Sequence, residues 1–234
     1  MKSSIYLGAA TALLWSLIVS NVIAAPSFDC KLAKTAVEKF ICGSDKLSAL
    51  DQEIADAFRQ ALRRLADDPV AVDELRADQQ YFIEFRDQDD CGAFMECAVP
   101  LLEIRRNFLV DISRREREGF AGKWVAADGI VEIGPGKDGK LSVSESTLRG
   151  LTSHSCGWDD DGAQMNGARL VSGGGESWTL ELTRSGRRLI VDEIPPKEGA
   201  ISGPDSPHRN CGARGSLGGT FFPVDGRKTH QLIE

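Results

Sequence analysis

Six cysteines, at positions 30, 42, 91, 97, 156 and 211, follow a stretch with the layout of an export signal, and they limit what this chain can fold into more than any other feature. Lys2 supplies a positive n-region, Ile5 to Val19 an apolar h-region, and Val22-Ile23-Ala24-Ala25 a small-residue cleavage site. The pattern predicts a signal peptide over residues 1–25 and a periplasmic or secreted mature chain. An uncleaved anchor is the competing reading of the apolar run, but Asn21 and the Ala-Ala pair favour cleavage, so no stable membrane anchor is expected. Cys30 does not read as a lipid-attachment site, because Ser27-Phe28-Asp29 stand where small apolar residues are needed. An even set of cysteines in an oxidising compartment predicts three disulfides.

Composition divides the remainder in two. Residues 26–118 carry 14 basic and 20 acidic side chains and only two glycines, Gly43 and Gly92. From Gly119 the chain fills with glycine, serine and threonine, which places a boundary near Glu116 to Ala121. The expected organisation is a helical domain over 26–118, an antiparallel β domain over 119–224 and a polar, frayed and flexible tail over 225–234, an α+β chain overall. The net charge of −7 argues against nucleic acid as a partner, since phosphate binding needs clustered lysine and arginine. It suits a basic protein partner.

Local signals resolve the first part into four helices. Thr35-Ala-Val-Glu38 fits a capping box that starts a short helix ending at Cys42. Ser44 or Asp45 opens a second helix, on which Leu47, Leu50, Ile54, Phe58, Leu62 and Leu65 form one apolar stripe. Asp68-Pro69 starts a third, presenting Val72, Leu75, Phe82 and Phe85. After Cys97 a last helix places Leu101, Leu102, Arg105, Phe108, Leu109 and Ile112 on its inner side, and Pro100 is expected in its first turn. Arg86 and Arg105 lie beside inward positions and are expected to form a polar clamp with Asp51 and Glu38.

The same residues carry a resemblance. PSFDC at Pro26 to Cys30, then Ala33, Thr35, Glu38, Ile41-Cys42, Leu47, Leu50-Asp51 and Leu62, resembles the opening of the LprI-like lysozyme-inhibitor N-terminal domain. Gln79, Arg86-Asp87, Cys91, Cys97, Arg105 and Leu109 follow in the order of that family's second half, so the likeness spans roughly residues 26–112. Phe82 stands where the family usually has tryptophan, and Ala98 and Leu102 where it has leucine and tyrosine. The resemblance implies a partner such as lysozyme, a basic secreted protein.

Disulfide pairing in the helical part is less determined than disulfide number. The short turn between Cys91 and Cys97 favours that pair, and hence Cys30 with Cys42. The crossed pairing stays open, because a straight helix across those twelve steps would separate its ends by about 18 Å.

From Gly122 the chain breaks into short runs of β-branched and aromatic residues between turn signals such as Asp128-Gly129, Gly173-Gly-Gly175 and Ser185-Gly186. About eight antiparallel strands, with Leu151 to Cys156 as one of them, predict a small barrel or sandwich, with Cys156 bridged to Cys211. His154, Cys156, His208 and Cys211 formally offer a zinc set, but the spacing fits no finger and the disulfide is the preferred reading, so no metal or other cofactor is expected. Asp159-Asp160-Asp161-Gly162 lacks the alternate spacing of a calcium loop and reads as an acidic hairpin turn. No nucleophile–base or acid–base set can be assembled, so no catalytic residues and no enzyme activity are expected.

Ser172-Gly173-Gly174-Gly175-Glu176-Ser177-Trp178 has a faint likeness to the small-residue loop with which other barrel-shaped lysozyme inhibitors enter the enzyme's cleft, which marks it as the candidate partner-binding segment. The reading that results is an exported cell-envelope binding protein, an inhibitor or interactor of lysozyme-like muramidases. The alternative is a periplasmic module for a small ligand, a glycan or an assembly partner.

Overall fold

The computed structural model describes residues 25–88, 95–148, 155–174, 178–196, 211 and 215–226. The expected signal peptide, apart from Ala25, and the tail beyond Gly226 lie outside the described residues. Among the described residues four α-helices precede eight strands: α1 (Ala36–Cys42), α2 (Asp45–Arg64), α3 (Pro69–Gln88), α4 (Met95–Asp111), then β1 (Gly122–Val125), β2 (Gly129–Pro135), β3 (Leu141–Leu148), β4 (Ser155–Asn166), β5 (Arg169–Gly173), β6 (Thr179–Ser185), β7 (Arg188–Ile194) and β8 (Gly219–Pro223). The class is α+β, and the β part is a closed barrel.

Each helix starts where its sequence provides an acceptor. Thr35 and Glu38 form a complete capping box on α1. The Ser44 hydroxyl accepts from the Leu47 amide to start α2, and Asp68 Oδ1 accepts from the Ala71 amide at 3.0 Å to start α3. On α2 the fully buried stripe is Leu47, Leu50, Ile54, Ala57, Ala61 and Leu65, while Phe58 and Leu62 pack at its flank. Pro100 departs from expectation: α4 begins at Met95, which puts the proline in the second turn. Ala98, Leu101 and Leu102 are buried on either side of it, and Cys97 in the first turn is disulfide-bonded, so packing and a covalent tie hold the turn that the missing amide weakens.

The strands pair in sequence order, each antiparallel to the next, and β8 returns to pair with β1, so the sheet has no free edge. Alternate residues fill the barrel: Trp124, Val131, Val143, Trp158, Leu170, Leu180, Leu182, Leu189 and Phe221 meet inside. The strand expected at Leu151 to Cys156 is instead β4, Ser155–Asn166, and residues 151–154 lie outside the described ones. The acidic run at 159–161 is thus strand, not a hairpin turn. Cys156, Trp158 and Ala163 face inward along it, and a bulge opposite Leu141 and Val143 absorbs Asp161 and Gly162. The chain reverses only at Asn166 to Arg169.

Two apolar cores lie on opposite sides of the barrel wall, one inside the barrel and one between the wall and the helices. On β1 the Trp124 side chain points into the barrel, and Val125, its neighbour, packs outward among the helices with Phe222 and Val224. Phe108 of α4 meets Phe222 of β8 with ring centroids 6.3 Å apart, and Ile112 pairs with Val224 as a β-bridge. Asp225, placed by sequence in a frayed tail, donates its amide to the Asp111 carbonyl at 3.0 Å.

Candidate functional site

The polar clamp resolves into two separate centres. In the first, Arg86 of α3 lies 3.7 Å from Asp51 Oδ1 of α2 and 2.8 Å from Asp87, and both Arg86 and Asp51 are buried. The other oxygen of Asp51 accepts from the Ser27 amide at 2.7 Å and the Ser27 hydroxyl at 2.6 Å. Ser27 is held there because the Cys30–Cys42 disulfide ties its segment to the end of α1. Glu38 stays at the surface, its pKa lowered first by the amides of Lys34 and Thr35, with the field of Arg86 adding to them.

Arg105 makes the second centre and pairs with neither Glu38 nor Asp51. Its Nη1 donates to Asp78 Oδ2 at 2.6 Å, and its Nε and Nη2 donate to Gln79 Oε1 at 2.9 and 2.7 Å. The guanidinium sits 5.0 Å from the centroids of both Phe82 and Phe108. Asp78 Oδ1 accepts from the Ala127 amide in the β1–β2 turn, so one carboxylate joins α4, α3 and the barrel. The sequence pattern does not single out Asp78 as Arg105's partner. A signal is nonetheless present: Asp78 and Gln79 lie between Leu75 and Phe82 on the buried face of α3, a polar interruption of an apolar stripe that calls for a buried partner.

The candidate binding loop is rooted in β4 and β5. Ser172 is fully buried; its hydroxyl accepts from Trp158 Nε1 and donates to Asp160 Oδ2, each at 2.8 Å. Asp160 Oδ2 also accepts from the Gly173 amide at 2.9 Å, and Oδ1 from the Gly162 amide at 2.8 Å. Burial works to raise the Asp160 pKa, but these hydrogen bonds and the nearby Lys140 outweigh it and the value is lowered. Gly173 has φ +81°, and a Cβ there would lie 2.7 Å from the Trp158 ring, so only glycine fits beside that tryptophan. Gly174 follows, and Trp178 is half-buried against the barrel core at the loop's far root. Gly175, Glu176 and Ser177 lie outside the described residues. Among the segment's described residues, Ser172 is the buried one.

Cys156 is bonded to Cys211, a tie from β4 to the segment that precedes β8. Neither sulfur is free to bind zinc. Cys91, the expected partner of Cys97, and the two histidines of the zinc reading lie outside the described residues. The three aspartates of β4 diverge: Asp161 pairs with Lys137, Asp159 is exposed and Asp160 turns to Ser172. Among the described residues no group of three or more histidine, cysteine or acidic side chains could hold a metal ion. No helix of the described residues is long and apolar enough to cross a membrane.

The class defined by these features is a disulfide-tied helical unit docked on the wall of a filled eight-stranded barrel. Residues 30–107 match the family model described as Lysozyme inhibitor LprI, an inhibitor family, and the match takes in all four helices to the last turn of α4. No curated protein and no solved structure matches the chain.

Proposed function

We propose that this is a two-domain exported envelope protein, helical over 26–118 and barrel over 119–224, that binds and inhibits lysozyme-like muramidases without catalytic activity of its own. The family match over residues 30–107 carries this reading. The net charge of −7 supports it, because an acidic surface speeds encounter with a basic secreted enzyme. The disulfides Cys30–Cys42 and Cys156–Cys211 suit the periplasm or the exterior. The loop anchored by Ser172, Gly173 and Trp178 is the segment proposed to enter the enzyme's cleft, held in place at both roots.

A small ligand inside the barrel is the weaker reading. Trp124, Leu170, Leu180, Leu182, Leu189 and Phe221 fill the interior at 1% exposure or less. The deciding experiment titrates the oxidised protein against a c-type lysozyme while following the clearing of bacterial walls at two salt concentrations. Stoichiometric loss of clearing that weakens with salt is expected. Unchanged clearing at every ratio would leave an envelope-binding module with a different target.

A further inference from the structure

We propose that Asn166, at the head of the β4–β5 hairpin, is a site of self-modification, at which hydrolytic deamidation turns the residue into isoaspartate. The strands are joined through the pair of Asn166 with Arg169, which leaves Gly167 and Ala168 as the turn. Gly167 has φ +61°, the conformation that a hairpin turn with glycine at its first central position uses. A Cβ on Gly167 would meet nothing within 4 Å, so the space beside the Asn166–Gly167 peptide is open. Residues 164–169 are all exposed. Among the described residues neither the Asn166 carboxamide nor the Gly167 amide has a hydrogen-bond partner.

Glycine after asparagine hinders ring closure least, because no side chain shields the attacking nitrogen. The Gly167 amide nitrogen gives its proton to solvent and attacks Cγ of Asn166. The N–Cγ bond forms, the Cγ–Nδ2 bond breaks, and Nδ2 takes up a proton and leaves as ammonia, which closes a cyclic imide. Water then opens the ring at either carbonyl. Opening at Cγ gives aspartate; opening at the main-chain carbonyl gives isoaspartate, whose backbone runs through Cβ and Cγ. The sum is a carboxamide and a water giving a carboxylate and an ammonium ion, with no oxidant or reductant. Either product sets a negative charge opposite Arg169, whose guanidinium pairs with Glu181 at 2.6 Å. Isoaspartate also lengthens the backbone and so disrupts the pair next to the turn. Asn107 is the contrast in the same chain: it lies inside α4 before the buried Phe108, and its Oδ1 accepts from Arg106. This inference stands independently of muramidase binding.

The test incubates the oxidised full chain at body temperature and mildly alkaline pH, then maps its peptides by mass spectrometry for exchange of a side-chain NH2 for a hydroxyl. Isoaspartate is counted separately by isoaspartyl methyltransferase with labelled S-adenosylmethionine. Conversion at Asn166 is expected to outpace that at Asn107 by on the order of tenfold or more, since helix interiors open far less often than exposed turns. Its rate should rise with pH, as loss of the amide proton requires, and isoaspartate should exceed aspartate in the product. The Asn166→Gln variant should lose the isoaspartate signal and keep the parent's Tm. An unconverted Asn166, conversion no faster than at Asn107, conversion to aspartate alone, or an isoaspartate signal that persists in Asn166→Gln overturns the site.

Discussion

Asp78 on α3 and Ala127 in the β1–β2 turn are joined by a 2.7 Å hydrogen bond, and the same carboxylate neutralises Arg105. A single acid thus serves both the helical core and its attachment to the barrel. Truncation leaves the Arg105 guanidinium buried without its charge partner, its side chain only 1% exposed. Asp78→Ala is expected to cost about 3–5 kcal/mol in urea unfolding, and Asp78→Asn less, since an amide oxygen can still accept from Ala127. A cost below about 1 kcal/mol for the alanine variant would contradict this role.

Gly186 tests the second attachment. Its φ is +56°, and a Cβ would lie 2.3 Å from Asp68 Oδ2. Asp68 meanwhile caps α3 and accepts from the Arg187 amide at 2.9 Å. Gly186→Ala is expected to destabilise the protein by about 1–3 kcal/mol, seen as a lower Tm. An unchanged Tm would mean that the turn and the helix cap move apart freely.

The Asp160 network makes a pH prediction. Its pKa is lowered from 3.8 in the folded protein, so its contribution is full at neutral pH and is lost as the pH falls through the folded value. The stability difference between the parent and Asp160→Asn should therefore be present at pH 7 and shrink in acid below about pH 4. Trp158 fluorescence reports the same step, since its indole donates to Ser172 beside that carboxylate. A difference that grows on acidification would refute the assignment.

The two described disulfides span 12 and 55 residues. Loop entropy alone ranks them, at about 3 and about 4 kcal/mol. Paired serine substitutions at Cys156 and Cys211 should lower the urea midpoint more than those at Cys30 and Cys42. The reverse order would show that the contact of Ser27 with Asp51 depends on the shorter bridge more than chain entropy predicts.

Features that depend on neighbours along the chain are legible in the order of the residues. Thr35 with Glu38, Ser44, and Asp68 with Pro69 each act within a few residues, and each starts the helix that the pattern announces. Leu101, Leu102, Arg105, Phe108, Leu109 and Ile112 also share the buried side of α4 as their spacing requires. What local pattern does not reveal depends on distant partners. Arg105 finds Asp78 and Gln79 at sequence separations of 27 and 26. Asp159 to Asp161 read as a turn because acidic runs favour solvent, yet Asp159 and Asp160 pair with β3 and Asp161 falls in the bulge of the same strand. At the candidate loop, composition points to the segment but not to Ser172 as its buried anchor, because the bond to Asp160 crosses between strands.

The seam between β1 and β8 has a temporal consequence. Trp124 is paired with Pro223 and Val125 with Phe222, so β1 gains its second neighbour only once β8, the last strand of the barrel, has been made. Until then neither the cylinder nor the α4 surface that Phe222 covers can be completed, and the apolar interior stays open to solvent. The two margins of the sheet therefore lock together last, once all the intervening strands are in place.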